Sequence, residues 1–429
     1  MSDWNTDDLA AADKQFVWHP FTNLPQWCAP EHEPLIIVEG HGAIVRDSRG
    51  REYIDGNSSI WTNVHGHNHP RINSAITEQL SRIAHSSFLG ASNAPAIELA
   101  REIIALFPPM TLSRVFYSDD GSTGIEAALR MATQFFQMRG EERTTFVAFR
   151  RGYHGDTAGA AALGAARMFG SAIDGWQFPV RVIGSVDELA QIPAEKRAQI
   201  AGVVIEPVIQ GAAGMQIWPG GTCTAIREWC DAHGALMIAD EVMTGFGRTG
   251  RMFASEYDGA MPDLMVLGKG LTGGYLPLAM TLATEGVFAQ FDGAVADGRA
   301  LAYGHSYTGN ALGCAAARAS LAIFREDDVL RNLWPKISHL DALMQKTRLL
   351  PEIVEVRQCG FIVGIQTTSE NFARAVCEQA RQFSLLTRNI RDVIVLMPPL
   401  CTTTEELDRA ADAITHSIIE LGVREFSAS

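Results

Sequence analysis

Short apolar runs separated by helical stretches constrain this chain more than any other feature. Arg114-Val115-Phe116-Tyr117-Ser118, Thr145 to Phe149, Gly202 to Glu206, Leu236 to Asp240 and Leu264 to Lys269 read as strands. Between several of them lie segments such as Gly124 to Met138 and Cys223 to His233, with apolar residues at helical spacing. Strands rich in Val, Ile and Leu that alternate with helices predict a mostly parallel sheet covered on both faces. The expected class is α/β.

The flanks read differently. Pro34 to Val38, Ala43 to Arg46 and Glu52 to Asp55 are short strand-like runs, broken by Gly40, Gly42 and the turn Ser48-Arg49-Gly50. Pro70 to His85 and Ala94 to Leu106 read as helices, the second stopped by Pro108-Pro109. Beyond residue 325 the helices Val329 to Leu349, Asn371 to Phe383 and Thr404 to Leu421 alternate with strands around Ile353 to Val356 and Phe361 to Gly364. Thr403 with Glu406 offers a capping box for the last helix. Three units are expected: an N-terminal segment 1–65 contributing to a small domain, a large domain 66–324, and a smaller α+β domain 325–429.

Two of the buried-looking strands stop at lone opposite charges, Asp240 and Lys269. An unpaired charge out of water costs several kcal/mol, roughly, so packing is a poor reason for either residue. Pyridoxal 5'-phosphate (PLP) uses such a pair, the lysine as Schiff-base partner and the acid at the pyridine nitrogen. Its phosphate needs a cradle, and Ser118-Asp119-Asp120-Gly121-Ser122-Thr123-Gly124 joins a strand to a helix start. Helix N-terminal amides carry about half a positive charge and attract phosphate. Such a polar loop is as often only a helix cap. Beside Lys269 and Asp240, at the carboxyl edge of one sheet, it reads as a ligand site.

Other residues fall at that edge. Tyr153, in Arg151-Gly152-Tyr153-His154-Gly155-Asp156, is placed to stack on a cofactor ring or to lie over the core. Glu206 ends its strand either at the cofactor or as a cap for the Pro207 turn. Gly245-Phe246-Gly247-Arg248-Thr249-Gly250 satisfies the dinucleotide pattern literally, but no βαβ unit surrounds it, and a glycine-rich substrate loop is expected instead. His65-Gly66-His67-Asn68-His69 alternates imidazoles without an acidic or thiol partner at matching spacing, so no metal is expected.

With 47 % apolar and 20 % charged residues, the chain is an ordinary globular one. A net charge of -14 without a basic block argues against nucleic acid and acidic membranes as partners. Seven scattered cysteines without a C-x-x-C pair suggest reduced thiols. Met1 to Asp8 lacks a basic patch and an apolar core, and no apolar stretch reaches the ~18 residues of a membrane span. A soluble cytoplasmic protein is expected.

Motifs along the whole chain resemble the fold-type I, class III PLP aminotransferases, and within them the branch acting in biotin biosynthesis. They include Trp18-His19-Pro20-Phe21-Thr22, Asp55 to Trp61, His65-Gly66-His67, Ala94 to Leu99 and Tyr153 to Thr157. Ile238 to Val242, Gly245 to Gly250, Gly268 to Gly274, Gly304 to Asn310 and Met397-Pro398-Pro399 continue the set. Class III membership rests on the Asp-Glu and Lys motifs. The narrower likeness rests on Trp18-His19-Pro20, Ser58 to Trp61 and the C-terminal segment.

The resemblance implies that Lys269 holds the cofactor covalently and shuttles a proton, while Asp240 keeps the pyridine nitrogen protonated. Gly121 and Ser122 would hold the phosphate, aided by His305 and Ser306 from the second subunit of a homodimer whose active sites lie at the interface. Tyr153 would stack on the ring and touch substrate. Arg388 matches the arginine that binds the carboxylate of 8-amino-7-oxononanoate, and Ile60, Trp61 and Gly304 would line that substrate's channel. The usual donor is S-adenosyl-L-methionine, but Ile60, Phe21 and Val395 replace residues of that pattern and resemble a smaller branch using L-lysine. The stretch Met168 to Gln199 reads as shorter than in many relatives. Two alternatives stay open: a class III transaminase of ω-amino acids with another acceptor, and a catalytically retired PLP-binding protein.

Overall fold

Seven strands form the central sheet of the computed structural model, which describes residues 4–164 and 178–428. Met1 to Asp3 and the first part of the short stretch from Met168 lie outside the described residues. Across the sheet the strands run Leu112–Ser118, Ala279–Thr284, Leu264–Leu267, Leu236–Asp240, Ile200–Ile205, Thr145–Phe149 and Val180–Ile183. All neighbours pair in parallel except at Ala279–Thr284, which is antiparallel to both of its neighbours. The mostly parallel sheet expected from the apolar runs is the one observed.

Continuous apolar strands need cover on both faces, because successive side chains point to opposite sides. Val204, Ile238 and Val266 pack with Ile125, Ala128 and Phe136 of the helix Gly121–Met138. Their neighbours Val203 and Met237 face the other way, against Ile226 and Trp229 of the helix Thr222–His233. Burying side chains of this size contributes about 1.5–3 kcal/mol each relative to exposure. At Gly124 the helix comes close to the sheet, where a Cβ would stand 2.7 Å from Val266 Cγ1. Thr281 secures the approach by donating to the Gly124 carbonyl at 2.8 Å.

Two smaller sheets flank this layer. Ile353–Cys359, Ile362–Thr367, Val393–Leu396 and Arg388–Ile390 form one antiparallel sheet. Ile37–His41, Ile44–Asp47 and Glu52–Asp55 form the other, completed by Leu385–Leu386, whose Leu385 lies beside Ile54. The last helix, Thr404–Ala428, begins as its sequence foretold: Thr403 N–H donates to Glu406 Oε2 at 2.8 Å and Glu406 N–H returns to Thr403 Oγ1 at 3.1 Å. No described helix is long and apolar enough to cross a membrane.

Candidate active site

The carboxyl ends of the parallel strands open on a cavity of about 430 Å³. Lys269, Asp240, Tyr153, Gly121, Ser122 and Trp61 all line it, far apart in sequence and gathered by the topology. Asp240 ends its strand fully inside, where Val242 N–H donates to Oδ1 at 3.1 Å. Its other oxygen meets a residue that motif reading left without a role. His154 Nδ1 stands 2.7 Å from Asp240 Oδ2, with both side chains buried. Burial alone would lower the imidazole's pKa, but the hydrogen bond and charge of Asp240 raise it above the ordinary value. The buried acid therefore has a hydrogen-bonded partner whose cationic form it favours, while Asp240 also lines the cavity.

Lys269 follows its strand in a left-handed turn, φ 45°, on the cavity floor. Burial lowers its pKa, against the attraction of Asp240 and Glu206 and with help from repulsion by Arg248. Its Nζ lies 4.9 Å from the centre of the Trp61 ring, a cation–π contact. Glu206 also lines the cavity, and its carboxylate spans two loops: Oε2 accepts Tyr153 N–H at 3.1 Å and Oε1 accepts Gly211 N–H at 3.0 Å. Burial raises its pKa to about 7, with Asp240 repulsion acting the same way and the His154 charge and backbone donors acting against it. Neither reading of Glu206 stands alone, since it holds loops and faces the cavity.

At the helix start, Asp120 Oδ1 accepts Thr123 N–H at 2.9 Å, and the Asp120 N–H donates in return to Thr123 Oγ1 at 3.0 Å. Gly121 and Ser122 face the cavity at this end, beside Asp119 and Asp120. The cradle is closely built: a Cβ on Gly121 would stand 2.7 Å from Val242 Cγ1, and one on Gly155 would stand 2.1 Å from Ser122 Oγ. Ser118 Oγ, fully buried at the strand end, has no hydrogen-bond partner among the described residues. Tyr153 O–H donates to Asp156 at 2.6 Å.

Trp61 is placed by backbone that no glycine announces. Ser58, Ser59, Ile60 and Trp61 have φ of 47°, 50°, 67° and 66°, one turn of left-handed helix built from four L side chains. Each residue costs roughly 1–2 kcal/mol there. Offsetting bonds surround it: Ser58 Oγ to the Met397 carbonyl at 2.6 Å, Ser59 Oγ to Asp55 at 3.0 Å, and the Trp61 indole N–H to Asn57 Oδ1 at 2.8 Å. The turn leaves Ile60 about half exposed.

Five other sequence candidates are not brought into this cavity. Ile60, Gly304, His305, Ser306 and Arg388 lie outside its lining. His305 Nδ1 stands 3.5 Å from Asp119 Oδ2 of its own chain, Ser306 is exposed with its carbonyl near His85 Nε2, and Gly304 faces open space. Arg388 is exposed and forms no ion pair among the described residues. It pairs directly with Val395, however, which packs in one cluster with Trp61 and Met243, so its strand face leads back to the cavity mouth.

Two further motifs resolve into structure. The expected substrate loop Gly245–Gly250 contributes no residue to the cavity lining, and this corrects the sequence reading. Its Arg248 is buried and donates to the Pro398 and Asn63 carbonyls, both at 2.7 Å, tying the N-terminal segment to the C-terminal one. The imidazoles of the His65 motif each have a separate partner. His65 meets Ser320 at 3.0 Å, His67 meets Asp55 at 2.9 Å, and His69 accepts from Arg71 N–H at 3.3 Å. Burial drives the His65 pKa down to about 3, which keeps it neutral. Glu241, next to Asp240, is likewise structural: it accepts from Ala254 N–H, Ser255 N–H and Ser255 O–H.

A lysine and a clamped acid sharing one cavity with a helix N-terminus at the edge of this sheet define a site for a B6 cofactor, and comparison with known proteins agrees. The class-III aminotransferase family matches residues 27–418, and the chain belongs to that family. It is 41 % identical to adenosylmethionine-8-amino-7-oxononanoate aminotransferase of Nitratidesulfovibrio vulgaris, over 96 % of this chain and 82 % of that one. The crystal structure of the protein of that name from Methanocaldococcus jannaschii superposes with a TM-score of 0.93 at 36 % identity, covering 97 % of this chain and 99 % of the other. A PLP-bound amine transaminase from an uncultivated Pseudomonas species gives a TM-score of 0.88 at 29 % identity, with 94 % and 98 % covered. The protein is a transaminase, its fold is fold-type I, and its cofactor is PLP.

Proposed function

We propose that this enzyme transfers an amino group to the 7-keto carbon of 8-amino-7-oxononanoate, forming 7,8-diaminononanoate for biotin biosynthesis. The observation that carries the reading is full-length likeness to proteins named for that acceptor, around an intact Lys269–Asp240–His154 site. The names also favour S-adenosyl-L-methionine as donor. Ile60, Phe21 and Val395 support L-lysine as the second donor to test. Purified protein incubated with the acceptor and each donor in turn, with product read by mass spectrometry, tests both; no diamine from either refutes the proposal.

Bound PLP supplies an electron sink for the charge left when a proton departs the substrate carbon. Lys269 would anchor the cofactor and carry that proton; its lowered pKa suits a base. Asp240, held by His154, would keep a proton on the ring nitrogen. Gly121 and Ser122 would hold the phosphate at the helix start, and Tyr153 would pack against the ring. Trp61 closes the cavity over the lysine amine and keeps water from it. Arg388 grips the acceptor's carboxylate with its planar fork, and Ile60 and Gly304 line the path to it.

The assignment extends to assembly. A homodimer would bring His305 and Ser306 of the partner subunit to the phosphate, and exposed Phe16, Trp18, Phe21, Leu89 and Tyr307 offer apolar surface for such a contact. Sedimentation giving a monomer at micromolar concentration would remove this part. The units 1–65, 66–324 and 325–429 are proposed as a large domain, 66–324, and a small one to which 1–65 contributes, supported by the seven-stranded sheet lying within 66–324 and by Leu385–Leu386 completing the N-terminal sheet. Seven free thiols fit a reducing cytoplasm.

A further inference from the structure

We propose that Gly211, a position outside the cofactor machinery, sets the depth of the wall along which the acceptor's tail lies, and so determines how long a substrate the site accepts. This inference rests on the proposed acceptor. The wall consists of Trp61 and Met243, which line the cavity and share a buried cluster with Ile209, Met215, Ile362, Val395 and Met397. That cluster runs from Lys269, under Trp61, to Val395 beside Arg388. A chain stretched from the reacting carbon to the Arg388 guanidinium must pass over it.

Gly211 lies directly behind this wall. A Cβ there would stand 2.3 Å from Met243 Sδ, 3.1 Å from its Cε and 3.2 Å from Trp61 Cζ3. The first distance is far inside van der Waals contact, so something has to move. Gly211 itself is tied by its N–H to Glu206 Oε1 at 3.0 Å, and its carbonyl accepts from Gly214 and Met215 N–H, both at 3.1 Å. Trp61 is locked by the left-handed turn and by the Asn57 bond at 2.8 Å. Only the flexible Met243 thioether can yield, since an unbranched methionine adapts most easily. Packed apolar residues stand behind it, and the open direction is the cavity. Gly211 has ordinary backbone angles, so alanine brings no backbone strain to confuse the reading.

The test compares Gly211→Ala with the double variant Gly211→Ala/Met243→Ala, both PLP-loaded. The acceptors are 8-amino-7-oxononanoate and 3-aminobutan-2-one, which has the same amino-ketone head without the carboxylate tail, measured as substrate or competitive inhibitor. In Gly211→Ala the preference for the long acceptor should fall about tenfold or more, mainly through KM, the scale set by one methylene in a snug pocket. Met243→Ala should restore the preference to within threefold of wild type. Dissociation constants for the long acceptor, measured calorimetrically, should follow the same order. An unchanged preference in folded Gly211→Ala, or no restoration in the double variant, overturns the inference. Wild-type protein that converts no 8-amino-7-oxononanoate refutes the acceptor instead. The wall is then decided by the rates at which hexylamine and ethylamine bleach the visible absorbance of the bound cofactor, with the same two outcomes.

Discussion

Replacing His154 by alanine tests whether Asp240 works as half of a pair. The variant removes the imidazole 2.7 Å from Asp240 Oδ2 and leaves only the Val242 N–H, at 3.1 Å, to hold the acid from the protein side. A hydrogen bond to a charged group contributes about 1.5–3 kcal/mol. Stripping one partner from a buried ion pair costs more, about 3–5 kcal/mol, because the survivor is left uncompensated. The ring nitrogen of bound PLP, which the acid would face, would compensate part of the orphaned charge. The lower range therefore applies to catalysis, and kcat should fall roughly 10- to 100-fold, 1.4 kcal/mol being a factor of ten. PLP affinity should fall with it, measured by reconstituting the cofactor-free protein and following visible absorbance. The pair also has a pH signature. The imidazole pKa is raised on folding, so its contribution to stability is complete below the ordinary value near 6.5 and is lost as pH rises through the raised native value. Wild type should lose melting temperature over that alkaline interval relative to His154→Ala. A variant with kcat and PLP affinity within threefold of wild type would falsify the role given to His154.

Lys269→Ala should leave the far-ultraviolet spectrum intact and abolish turnover, and borohydride reduction followed by peptide mapping should label position 269 in wild type alone; appreciable activity in the variant rules out the mechanism. Glu206 has a pKa raised from 4.5 to about 7, so its contribution is present below pH 4.5 and lost as pH climbs to 7. At 1.36 kcal/mol per unit that is at most about 3 kcal/mol, and the melting temperature of cofactor-free Glu206→Gln should fall less than that of wild type between pH 5 and pH 8. Equal slopes contradict the buried-acid account. Arg388→Ala should raise KM for 8-amino-7-oxononanoate tenfold or more while sparing 3-aminobutan-2-one, and equal losses on both acceptors would show that the arginine does not read the carboxylate.

Much of the site was legible because chemistry marks its residues against an apolar background. Asp240 and Lys269 stand out at the ends of buried strands, and Gly121-Ser122 open an 18-residue amphipathic helix. His154 was harder, since nothing local says that its ring reaches an acid 86 positions away. The left-handed turn at Ser58 to Trp61 was not legible at all. Tertiary bonds to Asp55 and Met397 maintain it against the intrinsic preference of every residue in it. The same holds for the strand Ala279–Thr284, whose alanines and threonines carry little hydrophobic signal and are buried by neighbours instead. The glycine-rich loop at 245–250 misled in the opposite direction, because its glycines serve tight turns around a buried arginine.

The pairing of Ile54 with Leu385 has a consequence for how the polypeptide is made. The ribosome releases the first of these residues long before the second exists. At 5–20 residues per second the gap is roughly 15 to 65 seconds. For that interval the strand Glu52–Asp55 presents an open edge, and the Trp61 turn beside it lacks the Met397 carbonyl that receives Ser58. The nascent protein thus emerges with its cofactor lysine already translated and its tryptophan gate still unformed. Vitamin loading and chaperone demand should both concentrate in the last moments of synthesis.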